Sequence, residues 1–107
     1  MAFTGTMELV GKSGRKYQFN SYDIGGTFLK MGGLYCFTAT KGKSTEYIYI
    51  GHTADLSTSF VSSSLQKKID AYKPTHISIY ACKDEDQRIK AENDILSNKI
   101  TLCNDSQ

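Results

Sequence analysis

The chain has 107 residues, a net charge of +2 at neutral pH and an ordinary apolar content, with 39% hydrophobic residues. This length corresponds to about one domain with one compact core. Its apolar runs are too short for a membrane span, and its first residues lack the features of a signal peptide, so we expect a cytoplasmic protein without a membrane segment.

The first predicted element is a β-hairpin within residues 7–20. Apolar residues alternate at Met7 and Leu9 and again at Tyr17 and Phe19, and the glycine-bearing stretch 11–14 lies between the two runs. Alternating runs joined by a short glycine-containing loop are typical of an antiparallel hairpin.

A second antiparallel pair is predicted at residues 34–40 and 46–51, with 41–45 as the connecting loop. Both segments are rich in β-branched and aromatic residues. Because they are apolar almost throughout, we expect both faces of these strands to be covered. Their cysteine, Cys36, is expected to be a small buried hydrophobe, as is Cys82 further on. Three cysteines without a close pair argue against a disulfide framework or a structural zinc site.

From Asp55 the spacing of apolar residues becomes helical. We predict a helix whose first residues are capped by Asp55 or Thr53 and whose apolar face runs through Leu56, Phe60, Val61, Leu65, Ile69 and Tyr72. Serine and threonine fill most of its first half, so its own helix propensity is poor and it must depend on packing.

The last two elements are a strand and a second helix. Pro74 marks a boundary, residues 75–82 alternate as a strand, and the acidic residues 84–86 suit the start of a helix that includes Glu92. The fold class is therefore α+β: a small antiparallel sheet flanked by helices, with a β-β-α-β-α core at residues 33–107 and a hairpin extension at 1–32, all in one domain.

Two tripeptides in this order of elements give the chain a resemblance to the GIY-YIG endonuclease family. Gly33-Leu34-Tyr35 corresponds to the first tripeptide, and Tyr49-Ile50-Gly51 is the second. Glu92 on the second helix and the late Asn104 also match, so the resemblance covers roughly residues 33–104. The preceding hairpin is similar to an N-terminal addition in some bacterial members.

The resemblance implies metal-dependent hydrolysis of a nucleic-acid phosphodiester. Tyr35 would be the phenol that activates or positions water, and Tyr49 would be its partner beside the phosphate. Glu92 would be the ligand of Mg²⁺ or Mn²⁺, and Asn104 a supporting polar residue. His52, directly after the second tripeptide, is a further candidate for water activation.

One member of that constellation is replaced. The family has an arginine one turn into the first helix, in a D-L-x-x-R pattern, whereas this chain reads Asp55-Leu56-Ser57-Thr58-Ser59. A serine hydroxyl offers no charge and no bidentate contact to phosphate. We therefore expect catalysis to be impaired.

Basic residues could still contact a nucleic acid. They are most concentrated in residues 1–43, although solvated turn charges explain the same residues equally well. The candidates are Lys12, Arg15, Lys16, Lys41, Lys43, Lys67 and Lys68.

Two functions therefore stay open. The favoured hypothesis is a module that binds nucleic acid or a protein partner, and the alternative is an active endonuclease with a relocated cation. Neither tyrosine departs from ordinary strand packing when taken alone. Without the resemblance, Glu92 would be interpreted as a surface residue that pairs with Arg88 one helical turn earlier.

Overall fold

The computed structural model describes residues 3–25, 28, 30–58, 61–98 and 101–104. The elements follow the predicted order of hairpin, two strands, helix, strand and helix. They are β1 (Phe3–Val10), β2 (Lys16–Asp23), β3 (Gly33–Lys41), β4 (Ser44–Thr53), α1 (Ser63–Asp70), β5 (His76–Ala81) and α2 (Glu85–Leu96). The domain is thus a small α+β fold with a five-stranded antiparallel sheet and two helices, as predicted. Within the described ranges, no helix is long and apolar enough to cross a membrane.

The sheet joins the two hairpins through β5. Its strand order is β1-β2-β5-β3-β4, and every neighbouring pair is antiparallel. β5 pairs with β2 through Asn20 and Ile79, and with β3 through Tyr35 and Ile79. The N-terminal hairpin is therefore continuous with the sheet.

Both faces of β3 are covered, as its apolar sequence predicts. On one face, Tyr35 and Phe37 belong to a core cluster that includes Ile69 of α1. On the other, Leu34 and Cys36 pack in a second cluster with Ala91 and Ile95 of α2. The sheet is thus the middle layer, and we call its two sides the α1 face and the α2 face.

A β-bulge in β4 decides which face Tyr49 occupies. Phe37 lies opposite Tyr49, but the next residue of β3, Thr38, lies opposite Tyr47, so Ile48 is an extra residue. A bulge interrupts the alternation of side chains along a strand. As a result, Ile48 and Tyr49 both pack on the α1 face, whereas Tyr47 packs on the α2 face.

The β3–β4 connection is tighter than the predicted five-residue loop at 41–45. Lys41 pairs directly with Ser44, which leaves only Gly42 and Lys43 in the turn. Gly42 has φ +62°. Two-residue hairpin turns need positive φ at their first central position, which glycine adopts without a steric cost.

The predicted start of the first helix was wrong. α1 begins at Ser63, with Ser62 as the N-cap whose hydroxyl accepts from the backbone N–H of Leu65. Asp55 does not cap a helix; its carboxylate accepts from both the backbone N–H and the hydroxyl of Ser57, and so closes a local turn. Such hydroxyl and carboxylate bonds compete with helix formation.

The apolar pattern of that segment has a different origin from the predicted helix face. Leu56 is buried, but it extends from the turn, and Tyr72 beyond the helix is exposed. Only Leu65 and Ile69 lie on α1 itself. Ser59 and Phe60 lie outside the described residues. Ser59 is the position at which the family resemblance implies an arginine.

The second helix starts where its acidic residues predict. Asp84 is the N-cap of α2 and accepts from the backbone N–H of Gln87. Cys36 is buried as expected, whereas Cys82 follows the end of β5 and is partly exposed because the strand ends one residue earlier than predicted.

Candidate functional site

Tyr35 and Tyr49 lie side by side on the α1 face. Their ring centroids are 6.0 Å apart, with an interplanar angle of 34°. Tyr35 is only 3% exposed. Burial, then the neighbouring Tyr49 and Glu92 charges, and then a hydrogen bond with Tyr49 raise the pKa of Tyr35 well above its ordinary value. The phenol therefore keeps its proton at neutral pH and acts as a hydrogen-bond donor.

The pair of tyrosines depends on Gly51. Gly51 lies directly opposite Tyr35 in the β3–β4 ladder. A Cβ at Gly51 would lie 2.5 Å from the Tyr35 hydroxyl oxygen and 2.9 Å from Cε2 of Tyr49. Only glycine leaves room for both rings in this arrangement. This explains why the third residue of Tyr49-Ile50-Gly51 is a glycine.

His52 and Glu92 form a second pair, on the side of the sheet that α2 covers, and the Glu92 charge acts on Tyr35. The Nδ1 atom of His52 lies 2.9 Å from Oε2 of Glu92, and the two side chains are 34% and 20% exposed. Because an ionised carboxylate only accepts hydrogen bonds, Nδ1 of His52 carries the proton of this bond and Nε2 is the ring nitrogen that faces away from it. The residue pair joins the end of β4 to the middle of α2.

Asn104 holds the backbone of β4 between Tyr49 and His52. Its side chain accepts from the N–H of Ile50 at 2.8 Å and donates to the C=O of Ile50 at 2.9 Å, and it also contacts the hydroxyl of Thr101. The backbone N–H groups of Leu102 and Cys103 donate to Tyr47 and Ile48. Residues 101–104 therefore act as a strap that covers the outer edge of β4 and fixes its position.

The predicted basic residues do not form one group. Lys41 and Lys43 flank the β3–β4 turn, at the opposite end of β3 from Tyr35, and Lys41 pairs with Glu46 at 3.1 Å. The α1 lysines include Lys68, whose charge opposes the burial that raises the pKa of the Cys103 thiol. Lys67 lies beside it on α1.

Three basic residues lie at the same end of the sheet as the tyrosines. Lys12, Arg15 and Lys16 belong to the β1–β2 loop and the start of β2, and the strand pairing places this loop beyond Ala81, which is opposite Gly33. The Arg15 guanidinium carbon is 5.2 Å from the ring centroid of Tyr17. No ion pair joins any of the three to Glu92 within the residues that the structure describes.

Arg88 is a buried cation that sequence reasoning did not identify as such. Its Nη1 donates to the C=O groups of Cys82 and Lys83, at 3.1 and 2.7 Å, and a Cβ at Gly32 would lie 2.3 Å from this nitrogen. Its Nε has no hydrogen bond in the described part of the chain. The alternative pairing of Glu92 with Arg88 is not formed, because Glu92 bonds to His52 instead.

Asp94 is a second carboxylate of α2 that the sequence did not reveal. It accepts from the backbone N–H and the hydroxyl of Ser13 at 2.9 and 2.6 Å, and from the Tyr17 hydroxyl at 2.8 Å. These bonds lower its pKa. No spacing rule could have found them, because Ser13 and Asp94 are distant in sequence.

Glu92 has the donor chemistry that a magnesium-type ion requires. Its Oε1 atom makes no hydrogen bond with the described residues, and Mg²⁺ is commonly bound by one carboxylate while it keeps several waters. No cluster of three or more His, Cys, Asp or Glu side chains that could hold a metal occurs within 3–25, 28, 30–58, 61–98 and 101–104. A site with a single carboxylate does not need such a cluster.

Comparisons of the chain with protein-family models, with curated proteins and with solved structures give no match. Function is therefore argued from the arrangement of Tyr35, Tyr49, His52 and Glu92.

Proposed function

We propose that this protein is a nuclease-like domain that binds the phosphodiester backbone of a nucleic acid beside Tyr35 and Tyr49, with weak or no hydrolysis. The observation that carries the proposal is that the charge of Glu92, which is paired with His52, acts on the phenol of Tyr35 and helps to raise its pKa, so the two pairs lie near each other although α2 packs on the other face of the sheet. Hydroxyl and imidazole groups arranged around a carboxylate fit a phosphate and its water.

Each residue has a role that follows from its surroundings. The raised pKa of Tyr35 favours the positioning role over the water-activating one, since a phenol that keeps its proton cannot accept another. Tyr49 holds the Tyr35 hydroxyl by a hydrogen bond. Nε2 of His52 is then the acceptor for a proton from water, with Glu92 orienting the ring.

Impaired catalysis follows from the missing cation. Ser59 replaces the arginine that the family resemblance implies, and charge that develops on a phosphate needs a preorganised donor. Loss of one such donor lowers the rate by about 10²–10³-fold. No described lysine or arginine forms an ion pair with Glu92 to replace it.

A second candidate is an active endonuclease that uses Mg²⁺ or Mn²⁺. The observation in its favour is the His52–Glu92 bond of 2.9 Å, which prepares a proton acceptor without any arginine. When bound at Glu92, the ion would supply positive charge to a phosphate oxygen. In both cases Asn104 holds the backbone of β4 at Ile50, between Tyr49 and His52.

A cleavage assay separates the two candidates. Labelled branched, single-stranded and duplex nucleic acids are incubated with Mg²⁺ or Mn²⁺ and with the wild type, Glu92→Gln or Ser59→Arg. If the protein is a binding module with impaired catalysis, we expect no cleavage by the wild type and a gain of cleavage activity in Ser59→Arg. Metal-dependent cleavage by the wild type that Glu92→Gln abolishes would instead establish the active enzyme.

A binding assay tests the nucleic-acid partner itself. We expect affinity to fall steeply with salt, and to weaken when Lys12, Arg15 and Lys16 are changed to Gln, because these residues share one end of the sheet with the tyrosines. Lys41→Gln with Lys43→Gln is the matched control at the opposite end. Equal effects of both sets, or no binding, would leave a protein partner as the remaining hypothesis.

A further inference from the structure

A cleft of about 210 Å³ opens on the α2 face of the sheet, beyond the area that α2 covers. Two of its lining residues, Met7 and Tyr47, also pack against the core cluster that contains Ala91 and Ile95 of α2. All five strands contribute to its walls. Among its ten lining residues are Gly5, Ser21, Thr38, Thr40, Tyr47 and His76.

The cleft exists because side-chain size changes along the strands. Where α2 packs, the α2 face carries large residues such as Phe19 and Leu34. Further along the same strands, Ser21 and Thr38 occupy the equivalent positions, and nothing lies within 4 Å of a Cβ built at Gly5. A helix of 12 residues spans about 18 Å and does not reach this region.

The walls are polar but carry no fixed charge. Seven of the ten lining residues bear a hydroxyl, and none is Asp, Glu, Lys or Arg. A hydroxyl both donates and accepts hydrogen bonds. The cleft is therefore suited to a neutral ligand that presents donors and acceptors together, and it lacks the cation that a phosphate or carboxylate would need.

Thr38 offers its side chain to the cleft. The residue as a whole is 3% exposed, and it is one of the residues that line the cleft. A group that enters the cleft can therefore donate a hydrogen bond to the Thr38 hydroxyl or accept one from it.

Two further groups are held in fixed positions at the cleft. The Thr75 hydroxyl lies 2.7 Å from Nδ1 of His76 and accepts from the backbone N–H of Thr40 at 2.9 Å. This bond orients the imidazole. Tyr47 adds a half-buried aromatic ring, on which a flat ring can stack.

We infer that this cleft binds an unpaired nucleobase. Its volume of about 210 Å³ is well above the roughly 10–15 Å³ that one water needs, so it has room for a small organic ring. Serine and threonine hydroxyls bond to the edges of any base, and an aromatic side chain stacks on its face. Thr38 lies three residues from Tyr35 along β3, about 10 Å away, and the cleft is on the opposite face of the sheet from Tyr35, so this site is separate from the tyrosine site.

The test uses free nucleosides, which cannot report on phosphodiester binding or cleavage. Uridine, cytidine, adenosine, guanosine and, for comparison, glucose are titrated to about 10 mM while backbone amide shifts of the full chain are recorded by NMR. We expect saturable shifts at residues of the cleft for at least one nucleoside and none for glucose. Failure of the proposed nuclease-like function would leave this result unchanged.

Variants locate the site. Thr38→Val keeps the shape and removes the hydroxyl, so we expect nucleoside affinity to fall about tenfold, and Thr58→Val in an exposed turn is the matched control without an effect. Ser21→Ala serves as the second variant should Thr38→Val fail to fold. Absence of shifts with every nucleoside, equal shifts with glucose, or unchanged affinity in the cleft variants would each overturn the inference.

Discussion

Two carboxylates of α2 lie two residues apart and are used in different ways. Asp94 accepts three hydrogen bonds from Ser13 and Tyr17, all from groups that stay neutral at ordinary pH. Glu92 accepts one, from the titratable His52, and its other oxygen has no hydrogen bond with a described residue. Since two residues along a helix correspond to about 200° of rotation, the two side chains point in nearly opposite directions.

The difference shows how one helix can combine anchoring with chemistry. A carboxylate saturated by neutral donors fixes two segments together, and Asp94 attaches the β1–β2 loop to α2 in this way. A carboxylate with spare lone pairs beside an imidazole and two tyrosines can still take a proton, a cation or a water molecule. Glu92 is therefore available for function because Asp94 already holds the helix in place.

Ile95→Ala should have the largest effect, because it removes the packing that both carboxylates share. Ile95 is fully buried between α2 and the sheet. We expect a loss of about 2–5 kcal/mol in the free energy of unfolding, measured by urea denaturation. Ile89→Ala, on an exposed part of the same helix, is the control and should change little. A small effect of Ile95→Ala would mean that the hydrogen bonds alone hold α2.

Gly51→Ala should disturb the two tyrosines near Glu92 and leave the contacts of Asp94 unchanged. The new methyl group would overlap the Tyr35 hydroxyl and the Tyr49 ring, and the buried Tyr35 ring has little room to move. We expect a destabilisation of about 1–3 kcal/mol, with a change in the near-ultraviolet circular dichroism of the tyrosines. Addition of Tyr35→Phe should recover part of the loss. A variant as stable as the wild type would show that the two rings do not need Gly51.

Asp94→Asn should weaken the hydrogen bonds that join α2 to the β1–β2 loop, and it should alter the dependence of stability on pH. The pKa of Asp94 in the folded chain lies below its ordinary value of 3.8, so its charged form stabilises the fold above that pH. This contribution is lost as the pH falls through the folded-state pKa. We therefore expect the urea midpoint of Asp94→Asn to lie below that of the wild type at pH 7, and the gap to close in acid.

Glu92→Gln provides the contrast for that measurement. Glutamine keeps the size of the side chain and an oxygen that accepts from His52. We expect its pH profile of stability to follow that of the wild type more closely than the Asp94→Asn profile does. If the two variants behave alike, the distinction between anchor and functional carboxylate fails.

Asn104→Ala should have the smallest and most local effect. It removes the two hydrogen bonds to Ile50 and so loosens the strap at the edge of β4. We expect hydrogen exchange at the Ile50 amide to become about fivefold faster or more, with little change at Leu34 on the neighbouring strand. Unchanged exchange at Ile50 would show that the backbone bonds of residues 101–104 suffice without the side chain.

Local patterns predicted most of the fold. The hairpins, the strand after Pro74 and the helix that starts at Asp84 all follow from alternation, turn residues and capping, which act over a few neighbouring residues. The start of α1 was predicted wrongly because serine, threonine and Asp55 side chains formed a local turn that the apolar spacing does not reveal.

The candidate site was less accessible to sequence reasoning. Its residues could be named from the two tripeptides, but the partner of Glu92 could not, since helical spacing favoured Arg88 and the structure pairs Glu92 with His52. The role of Gly51 became clear only when both tyrosine rings were placed on one face.

By itself, the sequence determined the order of the elements and the extent of most of them, because these depend on residue type and short-range periodicity. The tertiary structure decided the rest. The bulge at Ile48 placed Tyr49 beside Tyr35, the strap with Asn104 fixed β4, and the crossing of α2 over the sheet assigned Asp94 to Ser13 and Glu92 to His52. Each of these contacts joins residues through packing between elements, which no local pattern encodes.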